Sequence, residues 1–272
     1  MEFESKYIAH QPDDNGYVQY SAEENRVWQA LYERQEKLLP GRAAEAYLEG
    51  MQVLDLPKDR IPQLPEVTQK IKAKTGWSVE PVAALISARD FFELLAEKKF
   101  PAATFIREME SLDYVTEPDI FHELFGHCPM LTNQVFADFM HAYAKRVLTF
   151  NEEDWSLLQR FFWFTVEFGL IREKEGIRAY GGGILSSIGE TAYSVESSKA
   201  MRVLFDPLVI FRMPYRIDKV QPVYFVIESY QMLFDFIEAD WAGLMEEARK
   251  LGEYAPYFSV EANNPSIHIR AC

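Results

Sequence analysis

The segment Arg160-Phe161-Phe162-Trp163-Phe164-Thr165-Val166-Glu167-Phe168-Gly169-Leu170-Ile171 is apolar almost throughout, yet it carries a glutamate in its middle. Whatever fold buries this run must also supply a partner for Glu167. An ionised carboxylate in an apolar interior is strongly unfavourable unless it is paired or bound to a cation. Upstream, His122-Glu123-Leu124-Phe125-Gly126-His127-Cys128-Pro129 offers two histidines five residues apart. On an α-helix of about 3.6 residues per turn such positions lie roughly 140° apart and do not converge on one ion. Gly126 is therefore expected to end the helix in a left-handed cap, and Pro129 to prevent it from resuming. His127 would then swing back from a loop towards His122. Two imidazoles and a carboxylate make either the facial triad of non-haem Fe(II) or the open zinc site of some hydrolases. The pattern also admits a reading without metal, with core histidines and Glu167 paired to a buried arginine such as Arg107 or Arg172. Cys128 reads as a small core residue, because neighbouring side chains rarely face one ion.

Longer stretches are recognisable. Glu117-Pro118-Asp119-Ile120-Phe121-His122-Glu123-Leu124-Phe125-Gly126-His127 resembles the iron-binding signature of the pterin-dependent aromatic amino acid hydroxylases. Trp163-Phe164-Thr165-Val166-Glu167-Phe168-Gly169-Leu170 resembles the segment that carries the family's third ligand. Ser87-Ala88-Arg89-Asp90-Phe91, Ala179-Tyr180-Gly181-Gly182-Gly183-Ile184-Leu185-Ser186-Ser187 and Gln221-Pro222-Val223-Tyr224 follow in the family's order. The likeness runs from about Tyr17 nearly to the C-terminus and is strongest to prokaryotic-type members acting on phenylalanine.

The resemblance implies a monooxygenase in which His122, His127 and Glu167 hold Fe(II), O2 is the oxidant and a tetrahydropterin supplies two electrons. It implies that Phe91 stacks on the pterin, with Ile86 and Ala88 touching it through their backbones and Glu123 placing a carboxylate nearby. Arg107 would grip the substrate carboxylate, Asp119 would orient Arg107 or His122, and Trp163 and Ser186 would line the substrate pocket. Without the family, Arg107 reads as a surface arginine, Glu123 as a solvated helix residue, and Ser87-x-x-Asp90 as a helix cap. One departure stands out. Animal members have Tyr-Thr-Pro where this chain has Tyr114-Val115-Thr116, so Val115 can offer only a backbone or shape contact. Members acting on tryptophan tend to carry Phe at the position of Trp163, and members acting on tyrosine an acid near Ile217. Both positions here favour phenylalanine.

Rival readings use the same residues. A zinc hydrolase of the His-Glu-x-x-His type places its histidines at i and i+4, and this chain has one residue more. A helical, acidic binding protein with a structural metal is the third possibility.

The 272 residues show no Gly/Ser-rich linker, repeat or low-complexity run, so one domain is expected. Hydrophobic residues make up 48%, with 20 Phe, 14 Tyr and 5 Trp, enough for a sizeable core. The formal charge of -14 disfavours nucleic acid and anionic membrane as partners. Two cysteines are too few for a disulfide framework. The N-terminus carries no signal-peptide pattern and no apolar run reaches membrane-spanning length, so the chain is expected to be cytoplasmic.

Helical signals dominate: a capping box at Ser21-Ala-Glu-Glu24, a helix from Pro65 to Gly76, another from Gln134 to Phe150, and a last long one from Ser229 to Leu251. Strand-like runs lie around Thr104–Ile106, Arg178–Tyr180 and Val223–Ile227. The expected fold is mainly α (α+β with a minor short sheet), a single-domain helical basket with a central iron cavity. Residues 1–16 read as an N-terminal tail, 17–252 as the catalytic iron and pterin domain, and 253–272 as a C-terminal β-hairpin arm. That arm alternates apolar and polar residues around Asn263-Asn264-Pro265. A lone hairpin needs a surface to pack on, and in the resembling animal enzymes such an arm joins subunits. A homodimer through the arm, and no tetramer, is the expectation.

Overall fold

A computed structural model describes residues 7–83, 85–113, 115 and 117–255. At the start of helix α1 (Ala22–Glu36) the capping box forms as read. Ser21 Oγ accepts from the Glu24 N–H at 3.2 Å, and the Glu24 carboxylate accepts from the Ser21 N–H at 2.7 Å. Helix α2 (Glu45–Leu54) follows, then α3 (Leu64–Thr75), which Gly76 closes at a φ of +80°. That left-handed conformation suits glycine.

Strands β1 (Ser78–Val82) and β2 (Lys99–Ala103) form a parallel pair joined by α4 (Ala88–Ala96). Ser87 caps α4 by accepting from the Asp90 N–H at 3.1 Å, so the cap reading of Ser87-x-x-Asp90 holds. Asn133 caps α5 (Gln134–Val147), whose Phe136, Phe139, Met140, Tyr143 and Val147 are buried at helical spacing.

A second sheet runs in the order β4-β3-β6-β5, from β3 (Leu170–Glu173), β4 (Gly176–Ala179), β5 (Met201–Leu204) and β6 (Val223–Ile227). β3 and β4 are antiparallel, whereas β6 runs parallel to both β3 and β5. All five residues of β6 are buried, as an inner strand covered on both faces requires. The mainly helical architecture with minor sheet is therefore as expected, and the strands at 178–180 and 223–227 were legible. The run at 104–106 is not a strand; β2 ends at Ala103.

The expected last helix is two helices, α9 (Tyr230–Ile237) and α10 (Trp241–Leu251). Asp240 restarts the chain by accepting from the Gly243 N–H at 3.1 Å, a capping role that aspartate performs well. Phe161, Phe236 and Trp241 stack in sequence behind α5, with ring centroids 4.0 Å and 4.8 Å apart.

At the N-terminal side Tyr7 stacks on Phe105 at 4.4 Å, and the His10 carbonyl accepts from the Thr104 hydroxyl at 2.7 Å. The expected C-terminal hairpin at 257–270 lies outside the described residues. Among the described residues no helix is long and apolar enough to cross a membrane.

Candidate metal centre between two cavities

The two histidines meet by a route the sequence reading did not contain. His122–His127 is a turn of π-helix, and Gly126 does not have a positive φ. The predicted left-handed cap is therefore wrong, and the backbone continues helically through Cys128 and Pro129. A π-helix bonds residue i to i+5, here Cys128 N–H to the Glu123 carbonyl at 3.2 Å. Residues five apart then lie on one side of the turn, as residues four apart do in an α-helix. Tyr47 of α2 supports the wide turn by donating its hydroxyl to the Phe125 carbonyl at 2.6 Å.

Glu167 is delivered in the same way. Helix α6 (Trp155–Phe162) widens into a π-turn over Trp163–Glu167, closed by the Phe168 N–H on the Trp163 carbonyl at 2.9 Å. The Thr165 hydroxyl donates to the Phe161 carbonyl at 2.6 Å.

The donor atoms converge. His122 Nε2 and His127 Nε2 are 3.0 Å apart, His127 Nε2 is 3.2 Å from Glu167 Oε1, and His122 Nε2 is 3.6 Å from Glu167 Oε2. Ligands about 2.1 Å from one ion at right angles are separated by about 3 Å, so the three atoms fit one face of a coordination octahedron. Ser186 sets the tautomer of His122. Its hydroxyl donates to the Gly182 carbonyl at 2.8 Å, so its oxygen accepts the His122 Nδ1–H at 2.9 Å. His122 Nε2 is left with a free lone pair facing the triad, the usual consequence of a hydrogen bond on a ligand's far nitrogen.

Burial lowers the His122 imidazole to about 4, which keeps it neutral and ligand-ready at pH 7. Burial pushes the Glu167 carboxyl upward. His127, then His122 and a bond from the Gly183 N–H, outweigh that push and hold it below the ordinary glutamate range.

Glu123 offers a competing carboxylate, since its oxygen and the two histidine nitrogens lie within 4.8 Å of one another. Glu167 sits closer to both imidazoles. Burial, then the charges of Glu167 and Asp119, push Glu123 well above the usual range and favour its neutral form. Glu167 is the better ligand on both counts.

Two glycines let a short helix close on the triad. α7 (Gly182–Leu185) packs across the first π-turn. A methyl group on Gly182 would lie 2.4 Å from the His127 ring, and one on Gly181 would lie 2.3 Å from the Glu167 carbonyl oxygen. Sequence reading quoted this stretch as a motif without finding its task.

Two cavities flank the triad, and both are bordered by Trp163 and Glu167. One, of about 350 Å³, holds Ile86, Ala88, Phe91, Phe162 and Tyr215. The other, of about 470 Å³, holds Arg107, Val115, His122, Ser186 and Glu190. Of the residues singled out from sequence, Ile86, Ala88 and Phe91 border the smaller cavity, Arg107, Val115 and Ser186 the larger, and Trp163 both, whereas Glu123 and Asp119 border neither.

Arg107 is not on the surface. It is 5% exposed, and its Nε and Nη2 donate to the fully buried Asp119 at 2.7 and 2.8 Å. Asp119 also accepts the His122 backbone N–H at 3.0 Å, so one carboxylate orients both the arginine and the ligand segment.

Glu190 was missed. It lies in the first turn of α8 (Ile188–Glu196), where Ser187 caps the helix by accepting the Glu190 N–H. It is 5% exposed and accepts from the Tyr224 hydroxyl at 2.5 Å and the Gln221 N–H at 2.9 Å. Burial raises it to about 7 from an ordinary 4.5, outweighing those bonds. Between these values the folded chain holds a proton that the unfolded chain has released, so stability falls as pH rises through the window. The full shift corresponds to roughly 3 kcal/mol. Urea unfolding should find Glu190→Gln close to wild type near about pH 5 and more stable than wild type near about pH 8, by roughly 1–3 kcal/mol. Equal differences at the two pH values would show that Glu190 does not titrate in this window.

A two-histidine, one-carboxylate face opening onto two cavities inside a helical domain is the arrangement of a mononuclear non-haem metal enzyme. The chain belongs to the biopterin-dependent aromatic amino acid hydroxylases, whose family model matches residues 4–261. It is similar to the phenylalanine-4-hydroxylase of Pseudomonas aeruginosa, with 50% identity over 254 residues, covering 93% of this chain and 97% of that one. The structure of phenylalanine hydroxylase from Legionella pneumophila superposes with a TM-score of 0.91 at 68% identity, covering 92% of this chain and all of that one. The Chromobacterium violaceum enzyme with bound oxidised Fe(III) superposes at 0.87 with 40% identity, covering 96% of each chain. Family membership removes the zinc-hydrolase and binding-protein readings.

Proposed function

We propose that the chain is a phenylalanine 4-monooxygenase, converting L-phenylalanine to L-tyrosine with O2 and a tetrahydropterin at a site where His122, His127 and Glu167 hold Fe(II). The observation that carries this reading is the convergence of three donor atoms between two separate cavities. Iron, when bound, supplies oxygen activation with electrons from the pterin.

The protein's residues perform the rest. His122 presents Nε2 because Ser186 holds its other nitrogen. Phe91 offers a ring face in the smaller cavity for a flat bicyclic cofactor, with Ile86 and Ala88 beside it. In the larger cavity Arg107 is locked by Asp119 through two donors, its Nη1 also reaches the Leu112 carbonyl at 3.4 Å, and its guanidinium would receive a substrate carboxylate. Trp163 forms the wall shared by both cavities, and Val115 and Ser186 bound the substrate side. Glu123, whose oxygen and the two histidine nitrogens lie within 4.8 Å of one another, would place its carboxyl near the cofactor without bordering either cavity.

Incubation with phenylalanine, a tetrahydropterin, Fe(II) and O2 should yield tyrosine, and anaerobic metal analysis should recover iron rather than zinc. A folded, iron-loaded protein that forms no tyrosine would overturn the assignment.

A homodimer through the C-terminal arm belongs to the same proposal, supported by the alternating pattern of Tyr257–Ala262 and Ser266–Arg270. Sedimentation should show the full chain as a dimer and a version ending at Gly252 as a monomer. A dimeric truncated chain would remove the arm from that role.

A further inference from the structure

Gln221-Pro222-Val223-Tyr224 contributes no ligand to the triad, yet its first residue is 1% exposed and bonded in three directions. Gln221 Oε1 accepts the Trp163 indole N–H at 3.2 Å. Its Nε2 donates to the carbonyls of Arg216 and Lys219 at 2.7 and 3.0 Å. Its backbone N–H is the donor held by Glu190.

The chain just before it starts from the same indole. The Tyr215 ring stacks on Trp163 with centroids 4.5 Å apart and planes within 22°. Residues 215–221 therefore leave one face of Trp163 and return to its N–H. In between, Ile217, Asp218, Lys219 and Val220 border the 470 Å³ cavity, and none of them borders the smaller one. Ile217 and Val220 are 59% and 48% exposed, so apolar burial does little to hold this segment down. Arg216 and Asp218 pair with each other at the surface. The Gln221 carboxamide ties the segment to the Trp163 indole.

We propose that Gln221 is a positioning residue for the amino-acid substrate, a clasp that holds the Arg216–Val220 lip of the pocket to the Trp163 ring wall so that one side chain sets both. This rests on the reading of the larger cavity as the phenylalanine site. Because the lip borders only that cavity, and the clasp reaches the other only through Trp163, opening it should act more on phenylalanine than on the pterin.

Two readouts test it, and one needs no turnover. The carbonyls held by Gln221 belong to the peptide bonds after Arg216 and after Lys219, both in exposed residues. Trypsin cuts at those residue types and needs the local backbone free to rearrange. In Gln221→Leu, cleavage at these two bonds should speed up by about ten-fold over wild type, as loss of neutral hydrogen bonds worth about 1 kcal/mol each predicts. Cleavage elsewhere in the chain should stay at the wild-type rate.

The KM for phenylalanine should rise about five-fold or more, while kcat and the KM for the pterin stay near wild type. Gln221→Glu keeps the acceptor towards Trp163 and lacks the amide donors, and it should show the same selective cleavage if the leucine variant fails to fold. Unchanged cleavage at both bonds in a folded variant, or equal rises in both KM values, would overturn the proposal. Tyrosine formation by the wild type is scored separately, so failure of the clasp is distinguishable from failure of the assigned reaction.

Discussion

Glu167→Ala should cost the protein its iron. Fe(II) affinity should drop by more than the ~100-fold that removal of an outer hydrogen-bond partner produces at metal sites, and tyrosine formation at limiting iron should fall below detection. The fold should persist, because Glu167 makes its close contacts to the two imidazoles rather than to the apolar core. Without the carboxylate, two neutral histidines face a dication with no compensating charge, and the nearest alternative, Glu123, favours its neutral form. Anaerobic titration with Fe(II), followed by the phenylalanine assay, measures both effects. Glu123→Gln is the control and should retain iron. Near-normal turnover in Glu167→Ala would hand the ligand role to Glu123.

Asp119→Ala should be among the most destabilising single changes in the chain. It leaves the Arg107 guanidinium 5% exposed with its two charged bonds gone, and it strips the His122 backbone N–H of its acceptor. Breaking a buried ion pair from one side costs about 3–5 kcal/mol, because the remaining charge is uncompensated. Urea unfolding of iron-free protein measures it. The informative comparison is the double variant Arg107→Ala/Asp119→Ala, which removes the stranded charge and should be more stable than Asp119→Ala alone. Loss of orientation at Arg107 should also shrink the preference for phenylalanine over phenethylamine, which lacks the carboxylate. An Asp119→Ala protein within about 1 kcal/mol of wild type would show that the pair is not what holds this corner of the pocket.

Local chemistry with a definite geometric demand was legible in the residues. The Ser21 box, the Gly76 stop, the Ser87 cap and the fully apolar run of β6 each have one dominant conformational solution, and each formed where expected. The three candidate ligands could be picked out because a glutamate inside an aromatic run has few affordable surroundings.

What stayed hidden depends on partners distant in sequence. Asp240 restarts a helix that apolar periodicity alone would continue. Glu190 has the sequence context of a helix cap, and only the fold puts Tyr224 and Gln221 against it. Arg107 looks like a surface residue until Asp119 is brought to it from twelve residues away. The backbone between the histidines was misread because α-helical arithmetic was applied to a π-turn. The same turn weakens the spacing argument against a zincin-like geometry, since i+5 in a π-turn faces as i+4 does in an α-helix. Family membership, not spacing, is what excludes that alternative.

A π-turn is an α-helix that has accepted one surplus residue, and both ligand-bearing segments contain one. Deleting a single residue from Trp163–Glu167 would return it to α-helical register and rotate one flank against the other by about 100°, with a shift of about 1.5 Å. Either the buried face of α6 or Glu167 could then keep its place, but not both. Substitutions can tune such a centre, whereas changes of length cannot be absorbed. A designer grafting this centre onto another helical scaffold would have to transplant the surplus residues along with the ligands, since an ideal helix carrying the same three side chains would aim them elsewhere.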